Sequence, residues 1–162
     1  MRILLIDDEQ AILEVFTQTL QTAQFNVITA VNGKDGFEKA KLEKPDAILL
    51  DQILPDMNGN QILQMLKSDP ITQKIPVAIL SNYNQDSMMQ QALSLGANDY
   101  MLKYQITPQE LVVKVKNMLP NGPVLLDENF ETQPTINHVM ASVSAIPPAP
   151  LTTHQQITNF TN

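Results

Sequence analysis

A run of four apolar residues that stops on an acid, Ala47-Ile48-Leu49-Leu50-Asp51, constrains this chain more than any other stretch. Pro45-Asp46 bound it before, and Pro55 and Gly59 mark a loop after it, so it reads as one short buried strand. A strand apolar on both faces belongs in a parallel sheet covered by helices. There its terminal acid, Asp51, is delivered to the carboxyl edge, where open α/β folds carry their chemistry.

The same design recurs along the chain. Residues 3–6 form a second apolar run, ended by Asp7 and Asp8. Residues 25–30 read as a strand centred on Val27 and Ile28, 77–80 as one followed by Ser81, and 99–102 as one followed by Lys103. Between them, helical spacing predicts a helix over 10–21 with Ala11, Ile12, Val15, Phe16 and Leu20 on its apolar face. It predicts others over 34–43, with Phe37, Ala40 and Leu42, and over 61–67, with Ile62, Leu63, Met65 and Leu66. Asp86 is the expected N-cap of a helix over 87–95, and Gly96 suits the left-handed position after it. Thr107-Pro108-Gln109-Glu110 is a capping box with proline at the first helical position, opening a helix to about residue 119. Strands alternating with helices predict an α/β fold, a doubly wound five-stranded parallel sheet with five helices. Every strand then points the same way, and one edge collects Asp7, Asp8, Asp51, Ser81 and Lys103.

Composition excludes several functions. A net charge of -7 and a pI near 4.6 leave no basic footprint for nucleic acid. There is no cysteine for disulfide or thiol chemistry, and no apolar run long enough for a membrane span. A cytoplasmic location is the expectation. From residue 120 the composition changes: 120–162 hold no Lys or Arg, six prolines and scattered apolar residues. The expected division is one domain over 1–119 and a disordered tail over 120–162, with Val124-Leu125-Leu126 able to dock locally. His138 and His154 have no partners there that would make a metal site.

Three carboxylates at close quarters repel one another and call for a cation. A small set of hard oxygen donors suits Mg2+, which keeps positions open for phosphate oxygens. Lys103 can hold a phosphate oxygen as a point charge, and Ser81 can donate to another. A carboxylate nucleophile beside Mg2+ and Lys is a phosphoryl acceptor.

Leu4-Leu5-Ile6-Asp7-Asp8-Glu9, Asp46 to Asp51 with Pro55 and Gly59, Ala78-Ile79-Leu80-Ser81, and Gly96-Ala97-Asn98-Asp99-Tyr100-Met101-Leu102-Lys103 together resemble the response-regulator receiver domain of bacterial two-component signalling. The ordered set spans about residues 1–119. The resemblance implies the flavodoxin-like receiver fold with strand order 2-1-3-4-5. It implies Asp51 as phosphoacceptor, forming a 4-aspartylphosphate, with Asp8 and Asp7 as Mg2+ ligands, directly and through water, and the Ile53 backbone carbonyl as a third protein ligand. Lys103 would hold the phosphoryl group, Ser81 would swing towards it, and Tyr100 would be the aromatic whose rotamer reports that movement. It further implies a histidine kinase or phosphotransfer protein as donor, and a downstream protein met through the face made by the fourth helix, fifth strand and fifth helix, where Met88, Tyr100 and Val113 lie. Beyond self-catalysed phosphotransfer and autodephosphorylation, no enzyme activity is expected.

Three positions depart from that family's pattern. Tyr104 stands where proline usually follows the lysine in a cis peptide, and a cis bond before a non-proline costs about 2.5–4 kcal/mol, so trans is expected. Asn82 replaces a small residue, and Tyr83 is bulky beside the phosphoryl position. Other functions fit the sequence less well. An aspartyl-nucleophile phosphatase needs Gly or Thr after a second acid, and Asp7-Asp8-Glu9-Gln10 lacks both. A flavodoxin-type binder would find its phosphate repelled by Asp7 and Asp8. A receiver-fold scaffold that takes no phosphate differs from the switch only by experiment. No helix-turn-helix or enzyme module is visible after the domain, so output is expected through protein contact or the tail.

Overall fold

The computed structural model describes residues 1–119; the expected tail, with His138 and His154, lies outside them. Strands β1 (Arg2–Ile6), β2 (Asn26–Ala30), β3 (Ala47–Asp51), β4 (Val77–Ser81) and β5 (Asp99–Leu102) alternate with helices α1 (Gln10–Thr22), α2 (Gly33–Glu43), α3 (Gly59–Ser68), α4 (Asp86–Ser94) and α5 (Pro108–Met118). All strand pairs are parallel, in the order β2-β1-β3-β4-β5. This is the expected doubly wound receiver fold.

Strand periodicity sorts the core into two layers. Ile3, Leu5, Leu49 and Leu80 face Leu13, Phe16, Leu20, Leu111 and Val115 of α1 and α5. Leu4, Ile6, Ile48, Leu50 and Ile79 face Ala40, Ile62, Leu63, Leu66 and Ala92 of α2, α3 and α4. Register then aligns the strand ends. Ile6 lies beside Leu50, Asp51 beside Leu80, and Ser81 beside Leu102, so the residues that follow or finish these strands meet at one edge.

Several side chains sit differently from the helical pattern read in the sequence. In α1 the buried stripe is Leu13, Phe16 and Leu20; Val15 and Ala11 are exposed, because the helix docks with its 13/16/20 line on the sheet. Val15 instead borders a groove shared with Pro108 and Val112 of α5. Leu42 is the most exposed large apolar side chain among the described residues, two residues and so about 200° around α2 from buried Ala40. Met65 is likewise at the rim of α3. The α4 N-cap is Gln85, without a side-chain bond, and Asp86 is the first helical residue, where its charge still favours the helix N-terminus. Gly96 takes φ +97°, as a left-handed residue after the helix should. Both halves of the Thr107/Glu110 capping box are made. The described residues contain no cis peptide, so Tyr104 follows Lys103 in trans, and no helix long and apolar enough to cross a membrane.

Candidate acidic site at the carboxyl edge

β1 and β3 are neighbours, so Asp7, just past β1, and Asp51, the last residue of β3, are brought side by side. Lys103, just past β5, reaches across β4 between them: its Nζ lies 2.6 Å from Asp7 Oδ2 and 3.0 Å from Asp51 Oδ2. All three side chains are almost fully buried. The other oxygens are held locally, Asp7 Oδ1 accepting from the Glu9 N–H at 2.9 Å and Asp51 Oδ1 from the Ile53 N–H at 3.3 Å. Asp8 stays exposed at the rim, and one carboxylate oxygen from each of Asp7, Asp8 and Asp51 lies within 4.8 Å of the others.

The electrostatics of this cluster are unbalanced. Burial pushes the Asp51 carboxyl up to about 6, and the neighbouring Asp7 charge adds to it; Lys103 only partly offsets both. Burial pulls Lys103 the other way, but its bonds to Asp7 and Asp51 hold the ammonium above the ordinary lysine range. One buried cation therefore serves two buried carboxylates, with a third acid at the rim. A hard divalent cation fits this donor set. Asp7, Asp8 and Asp51 are oxygen donors close enough to share one ion, and a bound cation would offset both the burial and the Asp7 charge that raise Asp51.

The cleft above Asp51 has a volume of about 360 Å³ and is lined by Asp8, Glu9, Gln52, Ile53, Ser81, Asn82, Tyr83 and Lys103 besides Asp51 itself. Ser81 is fully buried, and its Oγ is engaged with the backbone of Tyr83, accepting from the N–H at 3.0 Å and donating to the carbonyl at 3.3 Å. The Tyr100 hydroxyl donates to the same carbonyl at 3.2 Å. Ser81 and Tyr100 thus meet at one backbone atom of the β4–α4 loop. Tyr83 and Ile53 are half exposed at the mouth. Met88 and Tyr100 are half-buried and Val113 exposed on the face expected for output.

Of the side chains named from sequence for this edge, Asp8, Asp51, Ser81 and Lys103 line one cleft, and Asp7 is buried behind it against Lys103. Two neighbours were not foreseen. Gln52 is buried in the wall beside Asp51, its Oε1 without a hydrogen-bond partner. Asp56, at the tip of the β3–α3 loop, accepts from two backbone N–H groups of α2. An acid between Pro55 and Gly59 was the visible signal for the second; for Gln52 there was none.

Comparison with known proteins agrees with this fold. The family model described as the response regulator receiver domain matches residues 3–116. The alkaline phosphatase synthesis transcriptional regulatory protein PhoP of Bacillus subtilis is 34% identical over 123 residues, covering 76% of this chain and 50% of that protein. The phosphate regulon transcriptional regulatory protein PhoB of Pseudomonas aeruginosa is 35% identical over 117 residues, 72% of this chain and 51% of that protein. The chain thus spans about half the length of these curated relatives. Among solved structures, a CheY-like response regulator receiver domain protein from Methanospirillum hungatei superposes with a TM-score of 0.67 at 28% identity, covering 72% of this chain and 90% of that one. The BeF3-activated receiver domain of RstA from Klebsiella pneumoniae gives 0.69 at 25%, covering 74% and 99%.

Proposed function

Since this chain belongs to the response regulator receiver family, we propose that it is a phosphorylation-dependent signalling switch whose acceptor is Asp51. The observation that carries this is the placing of the Lys103 ammonium against both Asp7 and Asp51, beneath a cleft that opens to Ser81. An Asp51 oxygen attacks the phosphorus of the donor. As that bond forms, the bond from phosphorus to the donor's leaving atom breaks, and the electron pair departs with the donor. The donor is a phosphohistidine of a kinase or phosphotransfer protein, or a small acyl phosphate. Lys103 holds a phosphoryl oxygen, and Ser81 gives up its contacts with Tyr83 to donate to another. When bound by Asp7, Asp8, Asp51 and the Ile53 carbonyl, Mg2+ supplies positive charge that neutralises the incoming phosphoryl group.

Release of Ser81 disturbs the carbonyl that also holds Tyr100, which couples the site to the face of α4, β5 and α5. A downstream protein that binds this face better in one state shifts the equilibrium by its differential affinity. Phosphotransfer and autodephosphorylation are self-catalysed, and the switch works in the cytoplasm. The named relatives are transcriptional regulators, and this chain matches about half of each.

The test is incubation with a small acyl phosphate and Mg2+, followed by intact-mass measurement. One added phosphoryl group is expected in the wild type, and none in Asp51→Asn or in excess chelator. Equal modification of Asp51→Asn would remove the assignment. No modification of the wild type by any donor would favour a phosphorylation-independent scaffold.

A further inference from the structure

The β3–α3 loop, residues 52–58, carries the Ile53 carbonyl between the acceptor strand and α3. Its base is well tied. The Gln52 N–H donates to Leu80 O and the Gly59 N–H to Gln52 O, both at 2.8 Å, and Ile53 and Asn58 form an antiparallel bridge. Gly59 is needed there, because a Cβ would meet Asp51 O at 2.6 Å. The tip is tied differently. Asp56 reaches 22 and 23 residues back along the chain, Oδ1 accepting from the Gly33 N–H and Oδ2 from the Lys34 N–H, each at 2.8 Å. These bonds hold its carboxyl below the usual range although burial works against them.

The start of α2 is shaped to receive this tip. Asn32 caps the helix through the Asp35 N–H and leaves the Gly33 and Lys34 N–H groups to Asp56. A Cβ at Gly33 would lie 2.8 Å from Met57 Cγ and 2.4 Å from Ile62 Cδ1, so any larger residue would have to displace those side chains of the loop and α3. The connection continues to the acids. Gly33 follows the end of β2, and Ala30 O of that strand accepts from the Asp7 N–H at 3.0 Å. A closed circuit thus runs from Asp7 through β2, the start of α2 and Asp56 back to Ile53 and Asp51.

Resting on the acceptor reading above, we propose that Asp56 is a positioning residue for the cation. It touches neither phosphoryl group nor metal, and acts by fixing the loop that presents Ile53 relative to Asp7. The backbone bonds at the base fix Ile53 to the end of β3, Leu54 and Met57 add non-directional apolar contacts, and the Asp56 bonds are the directional tie from the loop tip to the start of α2. Groups that orient metal ligands from behind typically change affinity by about 10–100-fold when removed. An exposed loop clamp belongs at the low end, so about tenfold is expected.

The experiment is Mg2+ titration of the full chain by calorimetry, in wild type, Asp56→Asn and Asp56→Ala, with the melting temperature of each measured without cation. The expected result is Kd raised about tenfold in Asp56→Ala and less in Asp56→Asn, which keeps one acceptor oxygen. The rate of phosphorylation by an acyl phosphate should return to near wild type at saturating Mg2+. A purely structural role would lower the melting temperature and leave Kd within twofold, and that outcome overturns the proposal. If Asp56→Ala does not fold, Asp56→Asn is judged by the same criterion. A wild type that binds no Mg2+ would remove the acceptor reading and this one together; a wild type that binds while the variants bind equally removes only this one.

Discussion

The two halves of the acidic cleft are built to different standards. On the β1–β3 side, β3 is buried throughout, α3 buries five positions and opens on a reciprocal Asn58/Gln61 cap, and Asp56 ties the intervening loop to α2. On the β4–β5 side, β4 is as buried as β3, but α4 buries Ala92 alone, its N-cap makes no side-chain bond, and β5 buries only Met101. Ser81 and Tyr100 hold the β4–α4 loop through one carbonyl of Tyr83. Elements with few buried contacts open and rearrange at lower free-energy cost. The cleft therefore has a fixed wall that sets the acids and, at α4 and β5, a wall with few buried side chains.

The largest test of that contrast removes the cation already present. Lys103→Ala leaves Asp7 and Asp51 buried without their counter-charge, and stripping one partner from a buried pair costs about 3–5 kcal/mol. Chemical denaturation at pH 7 without Mg2+ should show that loss, and millimolar Mg2+ should recover part of it. A loss under about 1 kcal/mol would mean the fixed wall carries no such electrostatic load.

Next in size is a matched pair of truncations. Leu63→Ala in α3 should cost about 2–5 kcal/mol, whereas Leu93→Ala, half exposed on α4, should stay within about 0.5 kcal/mol. Equal costs would abolish the asymmetry.

The third concerns pH. The folded Asp51 holds its proton to about pH 6, the unfolded residue only to 3.8. Below 3.8 both states are protonated and Asp51 takes nothing from stability. As pH rises from 3.8 through 6, the unfolded chain loses its proton first and the folded state is progressively disfavoured, by on the order of 3 kcal/mol in full. In the cation-free protein, Asp51→Asn should therefore be more stable than wild type at pH 7, with the gap closing as pH falls through that window. A gap independent of pH would place the effect in packing rather than in the charge.

The smallest expected effect is on the lifetime of the phosphorylated state. Asn82 and Tyr83 border the cleft, and the Ile53 side chain at its mouth is apolar and cannot orient a water. Asn82→Ala and Ile53→Asn should each speed decay of the phosphoprotein several-fold, equivalent to about 1 kcal/mol of barrier. If neither does, the side chains at the mouth of the cleft do not control the access of water.

The elements themselves were legible because their causes are local. Apolar runs of strand length, the Thr107 to Glu110 cap and Gly96 each encode a backbone state within a few residues, and the structure has them where the sequence puts them. So too was the gathering of Asp7, Asp8, Asp51, Ser81 and Lys103, since every strand of a parallel sheet ends at the same edge. The helix faces were less legible. Val15 is as apolar as Leu13, and only the way α1 lies on the sheet decides that Leu13 is buried and Val15 is not.

The sequence alone determined a parallel α/β sheet with Asp7, Asp8, Asp51, Ser81 and Lys103 at its carboxyl edge, because periodicity and strand-end chemistry are properties of single segments. The tertiary structure decided that Lys103 bridges Asp7 and Asp51 rather than facing one of them, and that Asp51 is pushed up to about 6. It also decided that Ser81 and Tyr100 share the Tyr83 carbonyl and that Asp56 closes on the start of α2. Each of these depends on distances between segments far apart in the chain. Such distances arise only when the segments pack against one another, and no local pattern carries them.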